Sequence, residues 1–153
     1  MRLRPIADPA PLTLEIDNGM SEEKPNSIVA KKLYDAFLAG DLETIYALLD
    51  PQIEWEIVGS EEVPHFGVFR GIDEVRRFFQ IEVQNNRIES FEVLSYTETE
   101  IGAYVECRER GRFAGHPKGF EMRSCHLFEI KDGRIVRFRI YQDTAQMVDA
   151  WRS

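Results

Sequence analysis

The chain has 153 residues, of which 43% are hydrophobic and 11% aromatic, which predicts one globular domain with a core and excludes an intrinsically disordered protein. Its formal net charge of −8 argues against nucleic acid and anionic membranes as partners, because both favour basic surfaces. No apolar run approaches the roughly 18 residues that span a bilayer, and no signal-peptide pattern occurs, so we expect a cytoplasmic protein.

The cysteines and histidines do not point to a bound metal. Cys107 and Cys125 give neither a disulfide framework nor a metal-finger spacing. The three histidines are far apart in the sequence, and there is no glycine-rich phosphate loop. We therefore expect no metal and no other cofactor.

Residues 1–25 carry four of the seven prolines and no helical period, which predicts a poorly ordered N-terminal tail. Met20 is an alternative start of the natural chain. The folded domain is predicted to cover residues 26–153.

Three helices are predicted next. The first follows a cap at Asn26 or Ser27 and ends at Gly40, and Asp41 caps a second helix that ends near Leu49. A short strand covers residues 53–58, and residues 59–71 form a loop. The third helix covers residues 72–84, with an apolar stripe that includes Val83.

Four long segments then alternate as strands: residues 87–97, 103–113, 121–130 and a last strand beginning near Val136. A short helix is predicted over residues 145–152. Helices followed by a run of antiparallel strands indicate an α+β fold. We expect a cone-shaped, curved antiparallel sheet packed on three N-terminal helices and enclosing a pocket.

The hairpin between the last two strands determines which side chains face that pocket. A three-residue loop over residues 131–133 places Phe128 opposite Val136 and His126 opposite Phe138, whereas a two-residue turn would flip one strand's pattern. We therefore predict the three-residue loop. It leaves His126 on a largely apolar inward face, either as an acid/base group or as a hydrogen-bonded core histidine.

The neighbouring strand offers charged partners for this histidine. If the turn over residues 114–119 is centred near His116, Glu106 lies opposite His126 and Arg108 lies opposite Ser124. A carboxylate beside an imidazole raises its basicity, and Arg108 or Arg110 could hold a ligand oxygen. The alternative is an exposed charged face, with Val105 and Cys107 among the residues that point inward.

Other candidates come from the first strand, the loop and the last strand. Glu56, on the face opposite Trp55, is either a base with a raised pKa or a solvent-facing residue. Aromatic and apolar residues supply candidate ligand contacts, although core packing is the commoner use of such side chains. The set is Trp55, His65, Phe69, Phe128, Phe138 and Ile140.

Four segments carry a resemblance to a known group of proteins: YDAFLAGDLETIYALLD, IEWEIVG, PHFGVFRGIDEVRRFF and HLFEIKDGRIVRFRIYQD. They resemble the SnoaL-like and ketosteroid-isomerase-like families of the nuclear-transport-factor-like superfamily, over roughly residues 27–151. The resemblance implies the cone fold. It does not fix the chemistry, because this fold hosts isomerases, cyclases, hydrolases, dehydratases and non-catalytic binders.

The resemblance also suggests roles for particular positions. The catalytic aspartate of ketosteroid isomerases falls on Glu56 and their hydrogen-bonding acid on His126, while their tyrosine falls on Leu33, one residue short of Tyr34. The arginine-x-aspartate and final aspartate of limonene-epoxide hydrolases fall on Arg108, Arg110 and Ile140, so the arginine is kept and both carboxylates are missing. Neither mechanism transfers intact.

We therefore expect a cofactor-independent acid/base enzyme acting on a hydrophobic small molecule with a carbonyl or similar oxygen. The catalytic candidates are His126, Glu56 and Glu106. The alternatives are a non-catalytic protein that binds such a molecule, and a dimeric scaffold with a vestigial cavity. A homodimer is expected through the outer sheet face, where strand alternation places an apolar set: Val105, Cys107, Cys125, Leu127, Ile135 and Tyr141.

Overall fold

The computed structural model describes residues 24–153. The prediction of a poorly ordered tail concerns residues 1–25 and therefore falls almost entirely outside the described part of the chain. Its last residue, Pro25, is not tail but the first residue of a helix.

The element order confirms the predicted α+β architecture, and most bounds lie within a few residues of those predicted. One short strand, over residues 67–70, lies where a continuous loop was expected. In chain order the elements are α1 Pro25–Ala39, α2 Leu42–Leu48, β1 Leu49–Ile57, β2 Gly67–Arg70, α3 Gly71–Asn85, β3 Asn86–Glu98, β4 Gly102–Phe113, β5 Gly119–Lys131, β6 Arg134–Gln142 and α4 Thr144–Trp151.

The six strands form one sheet in the order β2-β1-β6-β5-β4-β3. The sheet is mixed, because β1 runs parallel to β6 while the other neighbours are antiparallel. α1 and α3 pack on its inner face, and the apolar core lies between these helices and the sheet.

Two caps start the helices of the N-terminal half. The Asp41 side chain accepts a hydrogen bond from the Thr44 backbone N–H and begins α2, as predicted. At α1 the cap comes from a distant strand: the Glu98 carboxylate accepts from the backbone N–H groups of Asn26 and Ser27 at 3.0 and 2.8 Å. This carboxylate satisfies two of the free N–H groups at the helix start and fixes α1 against β3.

The predicted loop between β5 and β6 is wrong. Lys131 pairs with Arg134, so the turn has two residues, Asp132 and Gly133, with φ of 52° and 75°. Both residues have positive φ, as in the turns that fit the twist of a hairpin.

A register shift restores the inward pattern that a two-residue turn would otherwise have flipped. Ile130 pairs with Ile135, but Glu129 pairs with Arg137, so the bulge falls at Val136. Beyond the bulge Phe128 lies opposite Phe138, and His126 lies opposite Ile140 rather than Phe138. The predicted faces are right beyond the bulge, but the partners are displaced by two residues.

The predicted register between β4 and β5 is wrong by one residue. Val105, not Glu106, lies opposite His126, and Glu106 lies opposite Cys125. A shift of one residue moves every side chain of β4 to the other face. The physical reason is burial: this register buries Val105 and Cys107, whereas the predicted one would bury Glu106 and two arginines at high cost.

The register of β4 and the bulge in β6 together change the outer face of the sheet. Val105, Cys107 and Ile135 were expected there, but all three are fully buried in the core. Cys125, Leu127 and Tyr141 lie on the outer face as predicted, together with the exposed Tyr104.

Candidate functional site

The inner face of the sheet, α1 and α3 enclose a cavity of about 80 Å³. Most of its walls are apolar, and the polar side chains are few and confined to particular positions. The lining residues are Leu33, Tyr34, Phe37, Ile45, Trp55, Phe78, Phe79, Glu82, Ile88, Phe91, Glu109, His126, Phe138 and Ile140. A mainly apolar cavity with a few polar groups is the usual form of a small-molecule site.

An open depression of about 550 Å³ lies on the outer face, lined by residues such as Tyr104, Glu106 and Tyr141. It is larger, but it is shallow and open to solvent. The enclosed cavity removes a ligand from water and contains the buried titratable groups, so we place the candidate site there.

His126 is held at the cavity wall by hydrogen bonds to both ring nitrogens. The Tyr34 hydroxyl lies 2.7 Å from Nδ1, and the Ser124 hydroxyl lies 3.0 Å from Nε2. The Cys107 sulfur is also 3.9 Å from Nδ1. α1 supplies the tyrosine and β5 supplies both the serine and the histidine, so the packing of this helix on the sheet assembles the group.

Burial keeps this group uncharged. It lowers the pKa of His126 from 6.5 to about 3, so the imidazole is neutral at physiological pH. Burial is also the largest cause of the raised pKa of Tyr34, which therefore remains a phenol. A neutral imidazole and a phenol are suited to orienting or polarising a ligand oxygen, and poorly suited to accepting a proton near pH 7.

Two carboxyl groups, Glu82 of α3 and Glu109 of β4, line the same cavity. Burial first, and then the nearby charge of Glu109, raise the pKa of Glu82 from 4.5 to about 8. Burial also raises the pKa of Glu109, to about 7. The side chain of Glu82 is 18% exposed, but its Oε1 atom is buried. These are the cavity groups whose protonation changes near neutral pH.

His65 lies behind Glu82, with Nδ1 3.3 Å from the Glu82 Oε1 atom. Both atoms are buried and neither forms a hydrogen bond of good geometry. Burial lowers the pKa of His65 to about 4, so this histidine is also neutral at physiological pH. His65 does not line the cavity, so the predicted ligand contact becomes a contact to a cavity carboxyl.

Aromatic rings form much of the cavity wall. The rings of Trp55 and Phe138 lie 4.0 Å apart, and Phe78 and Phe79 pack against the same indole. The Trp55 Nε1 atom is buried and has no hydrogen-bond partner. A buried N–H without a partner is costly and is available to an acceptor on a ligand.

Four of the predicted site residues lie on the opposite face of the sheet. Glu56 pairs with Arg139 at 2.5 Å, and Glu106 pairs with Arg123 at 3.1 Å. Arg108 is exposed, and so is Arg110, which contacts Glu89. The prediction that these four side chains face the cavity is therefore wrong, because strand alternation directs them outward.

The remaining predicted residues divide between the cavity and the core. Trp55, Phe138 and Ile140 line the cavity together with His126. Phe69 packs on the Phe78 ring. Phe128 is fully buried in the core, where it contacts the Tyr34 and Phe138 rings.

Sequence reasoning missed Tyr34, Glu82 and Glu109. Two features of the sequence point to the two glutamates. Glu82 follows Val75 and Phe79 at helical spacing, on the stripe that was assigned to Val83, whose side chain is 70% exposed. Glu109 alternates with buried β4 residues once the register is right.

The described residues, 24–153, lack the features of two other classes of function. No group of three or more His, Cys, Asp or Glu side chains in this range could hold a metal ion. None of the helices in the same range is long and apolar enough to cross a membrane.

Solved structures of other proteins share this fold. A protein of unknown function with an NTF2-like fold from Burkholderia pseudomallei K96243 aligns with a TM-score of 0.76 and 22% identity, covering 86% of this chain and all of that one. A candidate SnoaL-like polyketide cyclase from Jannaschia sp. CCS1 aligns with a TM-score of 0.70 and 18% identity, over 84% and 92% of the two chains. TerC, co-crystallised with polyporic acid, aligns with a TM-score of 0.73 and 17% identity, over 85% of this chain and 100% of TerC. At these identities the likeness shows the fold alone.

The family follows from the sequence match. The model of the SnoaL-like domain matches residues 30–138, which is more than half of the chain. The protein belongs to the SnoaL-like family, as the resemblance of its four segments indicated. Among curated proteins, none is similar enough in sequence to count as a match.

Proposed function

We propose that the protein is an acid/base enzyme that acts, through its own side chains, on a hydrophobic small molecule with a carbonyl or similar oxygen. The observation that carries this proposal is the composition of the cavity. Its walls are aromatic, and its polar groups are a neutral histidine–tyrosine pair, an unpaired indole N–H and two carboxyls. Membership of the SnoaL-like family and a fold shared with a candidate polyketide cyclase support a role in small-molecule chemistry.

The size of the cavity limits the ligand. At about 80 Å³ it is smaller than the engineered cavity of roughly 150 Å³ that accepts benzene, so a ring-sized ligand requires the walls to move. Ile88, at 40% exposure, and the half-buried Phe37 and Phe91 mark the side where the cavity meets solvent. Phe91 also stacks on the Tyr34 ring, so movement of these side chains would open the cavity next to the histidine–tyrosine pair.

Acetophenone and α-methylstyrene test oxygen recognition, because they have the same shape and differ in C=O against C=CH2. In the Trp151→Phe protein the only remaining indole N–H signal in a ¹H–¹⁵N spectrum belongs to Trp55. We expect both ligands to shift this signal and acetophenone to bind about 2- to 10-fold more tightly, which is the worth of one net hydrogen bond. Ile88→Phe should weaken binding, whereas Leu38→Phe, an exposed change outside the cavity, should not.

Equal affinity for the two ligands, or no saturable shift with either, would contradict oxygen recognition in this cavity. The second candidate function is a non-catalytic small-molecule binder. It is favoured by the complete hydrogen bonding of His126, which leaves this ring poorly placed for proton transfer. Selective binding of acetophenone without any conversion of carbonyl compounds would support the binder.

A further inference from the structure

The two carboxyl groups of the cavity are candidates for proton transfer, whereas the hydrogen-bonded His126 is suited to positioning a ligand. Glu82 projects from the inner stripe of α3, and Glu109 projects from the inner face of β4, so both reach the same cavity from opposite walls. Their charges interact. Two carboxyls that share one apolar cavity cannot both ionise without a large cost, so one keeps its proton while the other releases it.

Few other groups stabilise a negative charge on these carboxyls. The Asn86 amide donates to Glu82 Oε2 at 3.2 Å, and His65 approaches Oε1. Among the described residues, no ion pair between Glu82 or Glu109 and a lysine or arginine is formed. The titratable groups around the pair are His65 from the loop before β2, Tyr34 and His126 elsewhere on the cavity wall, and the Cys107 thiol of β4, whose charge interacts with that of Glu109.

We propose that Glu109 and Glu82 are the catalytic proton acceptor and proton donor of the cavity, and that His65 is a positioning residue that holds Glu82. This inference rests on the proposed function. It concerns residues that do not match the family positions suggested by sequence.

The step that the pair would perform balances without any further reactant. The Glu109 carboxylate removes the proton from the carbon next to a carbonyl group, so that C–H bond breaks and a carboxylic acid forms. The electron pair moves into the C–C bond, and the carbonyl oxygen takes the proton of the Glu82 acid, giving an enol and a Glu82 carboxylate. Return of the two protons regenerates the ketone, at the same carbon or at another one.

Carbon-13 NMR of protein labelled at the glutamate carboxyl carbon tests the pair without a substrate. We expect two carboxyl signals that titrate between about pH 6 and pH 9. Glu109→Gln should remove one of them and move the other to lower pH, because the neighbouring negative charge is gone. Glu82→Gln should remove the other signal, and Glu106→Gln, an outward-facing control, should leave both in place.

His65 is tested by two variants of different chemistry. His65→Asn places an amide nitrogen near the position of Nδ1, whereas His65→Leu fills similar space without a polar atom. We expect Asn to preserve the titration of Glu82 and Leu to shift it, with both variants folded by circular dichroism. A purely structural role would give the same titration in both.

The outcomes separate this inference from the proposed function. If no carboxyl titrates above pH 6, the proton pair is wrong, whatever the protein binds. If both carboxyls titrate as expected but acetophenone does not bind selectively, the pair exists and the proposed function is wrong. Unchanged titration of Glu82 in His65→Leu would overturn the positioning role alone.

Discussion

Replacing Glu109 by glutamine should make the protein less sensitive to alkaline pH. Burial raises the pKa of this carboxyl from 4.5 to about 7, so the folded protein keeps a proton that the unfolded chain has already released. The unfolded state then binds fewer protons than the folded state between these two values. The free energy of unfolding therefore falls as the pH rises through this window, and the stabilisation is fully present only below pH 4.5.

The magnitude follows from the same pKa. Each pH unit is worth about 1.36 kcal/mol, so the full shift corresponds to an upper limit of about 3.4 kcal/mol. Since Glu109 is only partly buried by exposed area, we expect about 2 kcal/mol. The assay is urea unfolding at pH 5 and pH 8 for wild type, Glu109→Gln and the control Glu106→Gln.

Between pH 5 and pH 8, the free energy of unfolding of the wild type and of the control should fall by about 2 kcal/mol more than that of Glu109→Gln. Because Glu82 remains in every protein, all three should still lose some stability. Equal losses in Glu109→Gln and the wild type would refute the claim that burial in this cavity raises the pKa of Glu109 in the folded state.

Three further predictions follow from the fold. Leu127→Glu should split a homodimer that forms through the outer sheet face, as sedimentation velocity would show; a wild-type monomer at micromolar concentration would contradict the dimer. Gly102→Ala should destabilise the protein by more than about 2 kcal/mol, because an added Cβ would collide with the Phe128 carbonyl oxygen. The control Gly40→Ala should cost only the strain of its positive φ, because its added Cβ meets no atom within 4 Å. A chain that starts at Met20 should melt within a few degrees of the full chain, and a large drop would show that the removed segment contributes to stability.

The element types were predictable because each long segment has one clear period. The hydrophobic period of α3 and the alternation of β5 gave the right elements, and the four quoted segments gave the right family. The conformation of the β5–β6 turn was not predictable in the same way. Its two-residue form would flip the pattern, and only the bulge at Val136, which depends on pairing across the sheet, restores it.

The candidate site was predicted only in part, for a related reason. His126, Trp55 and Phe138 lie at the cavity because their strands alternate cleanly. Glu56 was placed in the cavity from the resemblance, against its alternation with Trp55. Glu106 was assigned to the wrong face because the position of a turn within one residue decides the face of a whole strand. Glu106 was selected in place of Glu109 for this reason alone.

Deuterium exchange at the methyl group of acetophenone, followed by proton NMR in D2O, tests the central claim most directly. An acid/base cavity that accepts a carbonyl compound should accelerate this exchange over buffer. Removal of both carboxyls in Glu82→Gln/Glu109→Gln should lower the accelerated rate by about 100-fold or more, and His126→Ala should lower it through loss of the group that orients the oxygen. Exchange at the buffer rate with the wild type, or equal acceleration by the wild type and the double variant, would contradict the account.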